Sequence, residues 1–207
     1  MLVEFSPYGW LVGLCLLGLV LVLRRQRGVY HLLLLAGFLV FMLVLVGAVF
    51  FPIWLPAAGD AYPGLDGLVR QMFFSHTINL VPFYFGNCWD LPGACAAGIV
   101  DNILMTMPLG LGIHFVSSRK FKQNVLISLP VGVVIELVQL GLDIGLRTSM
   151  RVVDVNDMLF NGLGVLLGAG LFLAFARVFL LISARYRIEW QGLMLYLYNQ
   201  IRFVLAK

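Results

Sequence analysis

The sequence predicts an all-α integral membrane protein, and three observations lead to that prediction. Only 12% of the 207 residues are charged and 61% are hydrophobic, whereas a soluble domain usually has about 25% charged residues. The mean hydropathy is +0.98. Five apolar stretches approach the roughly 20 residues that a membrane-spanning helix requires. Because so apolar a chain has too little polar surface to cover itself in water, we expect the bilayer to be its solvent.

The five stretches follow one another along the chain and predict about five transmembrane helices within residues 1–183. They run from about Tyr8 to Leu23, from His31 to Phe51, from about Gly98 to Val116, from Asn124 to Leu142 and from near Asp157 to about Ala176. We expect Pro108 and Pro130 to kink the third and fourth spans, because proline lacks the amide hydrogen that the helix needs.

The basic residues predict the orientation of these spans. With five crossings, the first connection, the third connection and the C-terminus share one side, and 11 of the 14 Lys and Arg residues lie there. Positive charge marks the cytoplasmic side. We therefore expect a multi-pass protein of the cell inner (cytoplasmic) membrane with its N-terminus outside. The acidic residues segregate to the outer side, and only Glu189 is cytoplasmic.

Two further segments have the spacing of amphipathic helices. The first is predicted to lie on the outer leaflet, with its apolar residues at Leu65, Leu68, Val69, Met72 and Phe73. The second is the tail, residues 184–207, which is predicted to lie on the cytoplasmic leaflet. Its apolar stripe consists of Trp190, Leu193, Leu197, Ile201 and Val204. A sixth span is the alternative for the tail, although its charged and amide side chains are costly in lipid.

The cysteines leave one question open. Cys88 and Cys95 flank a turn on the predicted outer side, where a disulfide can persist. Spacing alone does not establish the distance between their Cα atoms, so the bond stays open at this point.

Polar groups inside the spans are the main functional signal. An ionisable group in a span costs at least about 2.5–3.5 kcal/mol on insertion scales, and such groups usually face a protein interior or water. Glu136 lies about 10 Å inward from the outer end of span four at the helical rise. Gln139 follows one turn further out on the same face. Asp101 and Asn102 open span three.

Span five begins with acid and amide groups and continues with glycines. Asp154, Asp157, Asn161, Gly164 and Gly168 follow helical offsets that place them on one face. The glycines allow close approach of a neighbouring helix, within the chain or in a homo-oligomer. Spans three, four and five are therefore expected to enclose a polar pocket that opens outward.

Most of these residues also have a purely structural interpretation. Asp154 can N-cap span five, and Asp157 can complement the helix dipole in the first turn. Glu136 has no such role in the middle of a helix and is the strongest functional candidate. The amides of Gln139 and Asn161 can link helices. Arg151 can pair with the carboxylates or with lipid headgroups.

Several classes of function have no support in the sequence. No His, Cys or Asp spacing is typical of a metal site, and no nucleotide-binding or serine-hydrolase motif is present. We therefore predict no metal and no cofactor. No basic patch alternates with aromatic residues, so nucleic acid is not an expected partner.

Four ordered pieces of the chain resemble the VanZ-like family of bacterial membrane proteins. They lie between residues 76 and 176: Asn79-Leu80-Val81-Pro82-Phe83; Asp101-Asn102 with Pro108-Leu109-Gly110; Ile135-Glu136-Leu137-Val138-Gln139; and Arg151-Val152-Val153-Asp154-Val155-Asn156-Asp157 with Asn161, Gly164 and Gly168. The family is named for a protein associated with teicoplanin resistance. The resemblance implies a role at the cell envelope, with substrate-binding candidates Asn79, Pro82, Phe83, Asp101, Asn102, Glu136, Gln139, Arg151, Asp154, Asp157 and Asn161.

Three functions are compatible with this pattern. The first is antibiotic resistance or envelope protection, in which the pocket binds a glycopeptide, a lipid-linked cell-wall precursor or a membrane lipid. The second is an intramembrane enzyme in which Glu136 and Asp154 or Asp157 divide acid and base roles. The third is a small transporter or flippase, which the few spans and the lack of an internal repeat disfavour.

Overall fold

The computed structural model describes residues 2–54, 64–74, 77–86, 92–148 and 151–206. The helices are α1 Tyr8–Leu23, α2 Val29–Phe50, α3 Leu65–Phe74, α4 Pro92–Val116, α5 Phe121–Ser128, α6 Val131–Leu146, α7 Val155–Tyr186 and α8 Gly192–Leu205. The strands have two residues each: β1 Leu2–Val3, β2 Ile53–Trp54, β3 Ile78–Asn79 and β4 Val153–Asp154.

Four helical stretches are long and apolar enough to cross a membrane, namely α2, α4, α5 with α6, and α7. This is the architecture of an all-α, multi-pass membrane protein, so the predicted fold class is confirmed. The helix α1 has the predicted bounds but only 16 residues, and it is a shorter apolar helix than the other four. The number of crossings and the orientation stay predictions.

The helices α4 and α7 extend beyond the apolar stretches that predicted them. α4 begins at Pro92 instead of Gly98, and α7 continues past Ala176 to Tyr186. Beyond Ala176 only Arg177 interrupts the apolar sequence, since residues 178–182 are Val, Phe, Leu, Leu and Ile, and residues 94–97 before Gly98 are Ala, Cys, Ala and Ala. Alanine and leucine favour helix, so both helices continue past the expected bounds. The α7 helix ends where Arg187 adopts a left-handed conformation.

Proline acts differently in the two spans that contain it. At Pro130 the helix is interrupted, and α5 and α6 are separate segments on either side of Leu129 and Pro130. The helix α4 instead continues through Pro108.

The α4–α7 pair forms the centre of the fold, and glycines determine how closely the two helices approach. A Cβ atom on Gly110 would meet the backbone of Val165, and one on Gly168 would meet the carbonyl of Met107. At Gly164 the obstacle is the Thr106 side chain and the Ile103 carbonyl. The predicted glycine face of span five is therefore packed against α4 within the same chain.

Short strands tie the connections together at one end of the helices. β1 pairs antiparallel with β2, which places the N-terminal residues beside the segment after α2. β3 pairs in parallel with β4, and the register joins Ile78 to Val153 and Asn79 to Asp154. The second pairing brings a loop and the start of α7 together.

The two amphipathic segments form helices. In α3, Leu68 and Met72 are buried and Val69 is exposed, while the side chains of Leu65 and Phe73 lie outside the described part of the chain. In the predicted tail, 184–207, α7 continues to Tyr186 and the separate helix α8 begins only at Gly192. Ile201 and Val204 of α8 are buried against Phe172 and Ala176.

The cysteine prediction falls partly outside the described residues. Cys95 is disulfide-bonded, and Cys15 is free and exposed. Cys88 is not among the residues that the structure describes.

Candidate functional site

The pairing of β3 with β4 creates the first polar contact of the candidate site. Asn79 Nδ2 donates to Asp154 Oδ1 at 2.8 Å and to the Tyr84 carbonyl at 2.9 Å. The Asn79 side-chain oxygen in turn accepts from the Val81 amide at 3.1 Å. Asn79 thus closes the loop 80–86 and fixes it against the start of α7.

Asn156 makes the second connection between this loop and α7. It is 2% exposed. Its Oδ1 accepts from the Phe83 amide at 2.6 Å, and its Nδ2 donates to the Tyr84 carbonyl at 2.8 Å. Phe83 has a positive φ of 61°, so the contact holds the loop in a turn that few residues adopt.

Asp154 is the N-cap of α7, as the structural interpretation of the sequence predicted. Its Oδ1 accepts from the Asn156 amide at 2.8 Å. The backbone amide of Asp154 donates to Glu136 Oε2 at 3.0 Å. Glu136, only 2% exposed, therefore joins the middle of α6 to the first residue before α7.

Asp157 and Asn102 form a hydrogen-bonded contact between the first turn of α7 and α4. Asn102 Nδ2 donates to Asp157 Oδ1 at 2.6 Å. One turn along α4, Thr106 donates to the Asn161 carbonyl at 2.8 Å. The three spans expected to enclose a polar region thus contribute hydrogen bonds at the start of α7, in two networks that together form one polar cluster.

A cavity of about 670 Å³ lies in front of this cluster. Its polar wall consists of Asn79, Asp154, Asn156 and Asp157, and its described lining residues include no Lys or Arg. The remaining lining residues are mostly aromatic and aliphatic, among them Leu80, Val81, Tyr84, Phe85, Ile99 and Phe160. The cavity therefore combines two carboxylates with an apolar surface.

The carboxylates in the cavity wall keep hydrogen-bonding capacity. The Oδ1 atoms of Asp154 and Asp157 accept the contacts given above. Their Oδ2 atoms accept no hydrogen bond from a described residue, which leaves two acceptors for a ligand. No three His, Cys, Asp or Glu side chains among the described residues are grouped closely enough to hold a metal ion.

Not all predicted site residues lie in the cavity wall. Glu136 and Asn161 are buried behind it, and neither amide atom of Asn161 has a partner among the described residues. Asp101 is exposed on α4. Pro82 and Phe83 belong to the exposed loop, which contributes its backbone to the site.

Gln139 and Arg151 bind the end of α2. Gln139 Nε2 donates to the Val49 carbonyl at 3.3 Å. Arg151 donates to the same carbonyl at 2.5 Å and to the Pro52 carbonyl at 3.3 Å. The guanidinium therefore binds carbonyls at the end of α2 and just after it, and it does not pair with Asp154 or Asp157.

Two residues that organise the site are not among the candidates that the sequence predicts. Asn156 belongs to the motif 151–157, and its amide two residues after the N-cap aspartate is the sequence feature that could have identified it. Asp143 is 3% exposed and accepts from the Arg151 amide at 3.1 Å. No signal in the sequence distinguished Asp143 from a residue at the end of a span.

Comparison with protein families supports the assignment that the motifs suggested. The family model described as VanZ/LLP1 matches residues 38–179, which is more than half of the chain. The chain belongs to the VanZ/LLP1 family. The match includes most of α2 and all of α4–α6, so it is wider than the expected region 76–176. Comparisons with curated proteins and with solved structures return no significant match.

The VanZ/LLP1 match encloses the residues of the polar cluster. Asn79, Asn102, Glu136, Asp154 and Asp157 all lie between residues 38 and 179. The helix α1 and the tail helix α8 lie outside it. The polar cluster thus belongs to the family region of the chain.

Proposed function

We propose that this VanZ/LLP1 protein acts at the outer face of the cytoplasmic membrane and protects the cell envelope by binding an amphiphile in the polar pocket. The candidate ligands are a lipidated glycopeptide, a lipid-linked cell-wall precursor and a membrane lipid. The observation that carries the proposal is the 670 Å³ cavity, whose wall combines the carboxylates of Asp154 and Asp157 with an apolar surface.

The charge of the pocket favours a ligand with an amine. Asp154 and Asp157 each have an oxygen without a described donor, and Arg151, the nearest arginine in sequence, is bound to α2. A carboxylate in a partly buried site is costly unless it is paired, so an ammonium group would relieve that cost. A phosphate or carboxylate in the same place would meet like charge.

The apolar half of the pocket favours a ligand that also enters the bilayer. Phe85 and Phe160 stack with 6.2 Å between ring centroids, and aliphatic residues of the loop and of α4 continue the surface. Ligand sites are mostly apolar with a few placed polar groups. An amphiphile would place its polar group against the carboxylates and its hydrocarbon chain against the apolar surface, near the start of α4 and α7.

Binding is favoured over catalysis because two of the three acidic groups already hold backbone atoms. Asp154 caps α7, and Glu136 accepts the Asp154 amide. Glu136 also does not line the cavity. Acid–base catalysis requires the catalytic group within hydrogen-bond reach of the substrate, and only Asp157 combines access with a free oxygen and no capping role.

The test is the sensitivity to teicoplanin and vancomycin of a susceptible Gram-positive host that expresses the protein. The decisive variant is Asp157→Asn, which keeps the acceptor for Asn102 and removes the charge. Asp101→Asn is the matched control, because it makes the same change at an exposed position outside the cavity. Expression of each variant is equalised before sensitivities are compared.

We expect the wild type and Asp101→Asn to protect against lipidated teicoplanin, and Asp157→Asn to lose most of that protection. Protection against vancomycin, which lacks the acyl chain, should change less. Equal protection by all three proteins would contradict a role for the pocket carboxylate. No protection by any of them would contradict the proposed resistance function itself.

A further inference from the structure

A second cavity lies between α2 and α4 and shares no lining residue with the polar pocket. Its volume is about 330 Å³, and its described walls are apolar side chains of residues 33–41 and 108–116. At the helical rise these segments make a groove about 12 Å long. That length is close to the roughly 15 Å hydrocarbon depth of one leaflet.

Glycine and aromatic residues shape this groove. A Cβ on Gly37 would meet no atom within 4 Å, so the space beside α2 is open there. A Cβ on Gly112 would lie 2.8 Å from the Phe38 ring, which marks the place where the two helices touch. The groove is thus open along one side and closed at its floor.

The tail helix α8 holds one end of the groove in place. The Tyr196 hydroxyl donates to the Phe115 carbonyl of α4 at 2.9 Å and lies 2.9 Å from His31 Nδ1 of α2. Gln200 donates to the carbonyls of His114 and Ser117 at 3.0 and 2.7 Å. These contacts fix the positions of α2 and α4 at the end where both helices meet basic segments.

Arginines lie on both sides of that end. Arg24, Arg25 and Arg27 precede α2, and Arg119 follows α4; all four are exposed, and none forms an ion pair with a described residue. Arg27 lies two residues before α2, whose first turn holds His31 against Tyr196, so Arg27 is near the end of the groove that Tyr196 holds. Glu189 is the only acidic residue in the described connections at this end.

We propose that the groove binds one acyl chain of an anionic phospholipid whose phosphate lies between Arg27 and Arg119. The groove is apolar and its length of about 12 Å is close to the depth of one leaflet, so hydrocarbon is the occupant that its surface and length fit. The unpaired arginines at its mouth select the headgroup, because basic residues at a membrane surface attract anionic lipid. The site is separate from the polar pocket and does not depend on the function proposed for it.

The test is native mass spectrometry of the full-length protein with phosphatidylglycerol and with phosphatidylcholine of the same acyl chains. The wild type is expected to retain one phosphatidylglycerol in preference to phosphatidylcholine. Gly37→Leu fills the groove and should reduce retention of phosphatidylglycerol at least about fivefold, since the buried methylene contacts are lost. Gly170→Leu is the control, because Gly170 also faces open space but lies on α7 outside the groove.

A second variant tests the headgroup without filling the groove. Arg27→Gln with Arg119→Gln should reduce the preference for phosphatidylglycerol about fivefold for each arginine, with retention of phosphatidylcholine unchanged. Equal retention by Gly37→Leu and Gly170→Leu would overturn the groove as the site. An unchanged preference in the double variant would overturn the role of the arginines. A dimer in the mass spectra that Gly37→Leu abolishes and Gly170→Leu does not would overturn lipid as the occupant and assign the groove to a second copy of the chain.

Discussion

Single side chains in the site hold backbone from distant parts of the chain. Asn156 joins α7 to the loop at Phe83 and Tyr84, and Glu136 joins α6 to the residue that caps α7. Each of these residues is almost fully buried. Removing one partner of a buried hydrogen bond costs more than the bond contributes, because the remaining group is left without water.

Asn156→Ala should lower the free energy of unfolding by about 1–3 kcal/mol, since two hydrogen bonds to the loop are lost at a buried position. The measurement is the thermal midpoint of the purified protein in detergent. Asn199→Ala is the control, because Asn199 is exposed on α8. If both variants unfold at the wild-type temperature, the loop does not depend on Asn156.

Glu136→Gln and Glu136→Leu should differ in stability. The glutamine keeps an oxygen for the Asp154 amide and should cost under about 0.5 kcal/mol, whereas leucine leaves that amide unpaired and should cost about 1–3 kcal/mol. Chemical unfolding of both variants measures the difference. Equal costs would mean that the contact at 3.0 Å contributes nothing to stability.

At this scale the sequence predicts which residues are polar within the spans, but not which atoms they bind. It singled out Glu136 and Asp154, and the structure places both in one cluster. It did not indicate that Arg151 binds the carbonyl of Val49, because the two residues are far apart in sequence and a carbonyl has no signature of its own.

The α4–α7 helix pair is the element on which the site depends. Asn102 and Thr106 of α4 reach Asp157 and Asn161 of α7 because glycines let the two backbones come close. Without a hydrophobic driving force between helices in lipid, such packing contributes much of their association.

Gly168→Ala should destabilise the protein, whereas Gly170→Ala should not. A Cβ on Gly168 meets the Met107 carbonyl and approaches the Leu111 amide to 2.8 Å, so separating the backbones should cost about 1–3 kcal/mol. Gly170 faces open space, and alanine there should be neutral or stabilising by up to about 1 kcal/mol. Thermal unfolding of the two variants checks the sign, and a stabilised Gly168→Ala would contradict the close packing.

Helix periodicity predicted the glycine face but not the helix that would cover it. The spacing of Gly164 and Gly168 is visible in the sequence, whereas Gly110 of α4 became meaningful only when Val165 was found opposite it. The C-terminal end of α7 was missed because Arg177 interrupts the apolar sequence for only one residue, and the helix continues through the apolar residues 178–182.

For the whole molecule, the strand pairing bears on the number of crossings. β1 pairs with β2 at one end of the α1–α2 hairpin, and the 3-10 turn Arg25–Arg27 connects the helices at the other. The segment from Leu2 to Leu23 thus runs the length of α2, although α1 itself is six residues shorter than α2, and a fifth crossing stays a prediction.

Cysteine labelling tests the orientation that the basic residues predict. In a Cys15→Ala background, a membrane-impermeant maleimide added to intact cells should label Leu80→Cys in the loop of the pocket. It should not label Ser118→Cys in the connection after α4, because the positive segments keep that side in the cytoplasm. Both positions are exposed, and labelling in the opposite pattern would reverse the topology.

The central claim is that the pocket recognises the amine of an amphiphile, and its most direct test is a binding measurement. Titration calorimetry of the protein in nanodiscs would compare dodecylamine with dodecanol, which have the same alkyl chain and differ in the polar group. We expect the amine to bind the wild type and Asp101→Asn equally, and Asp157→Asn at least about tenfold more weakly. Dodecanol should not distinguish the three proteins. Equal binding of the amine by Asp157→Asn and the wild type would contradict the claim.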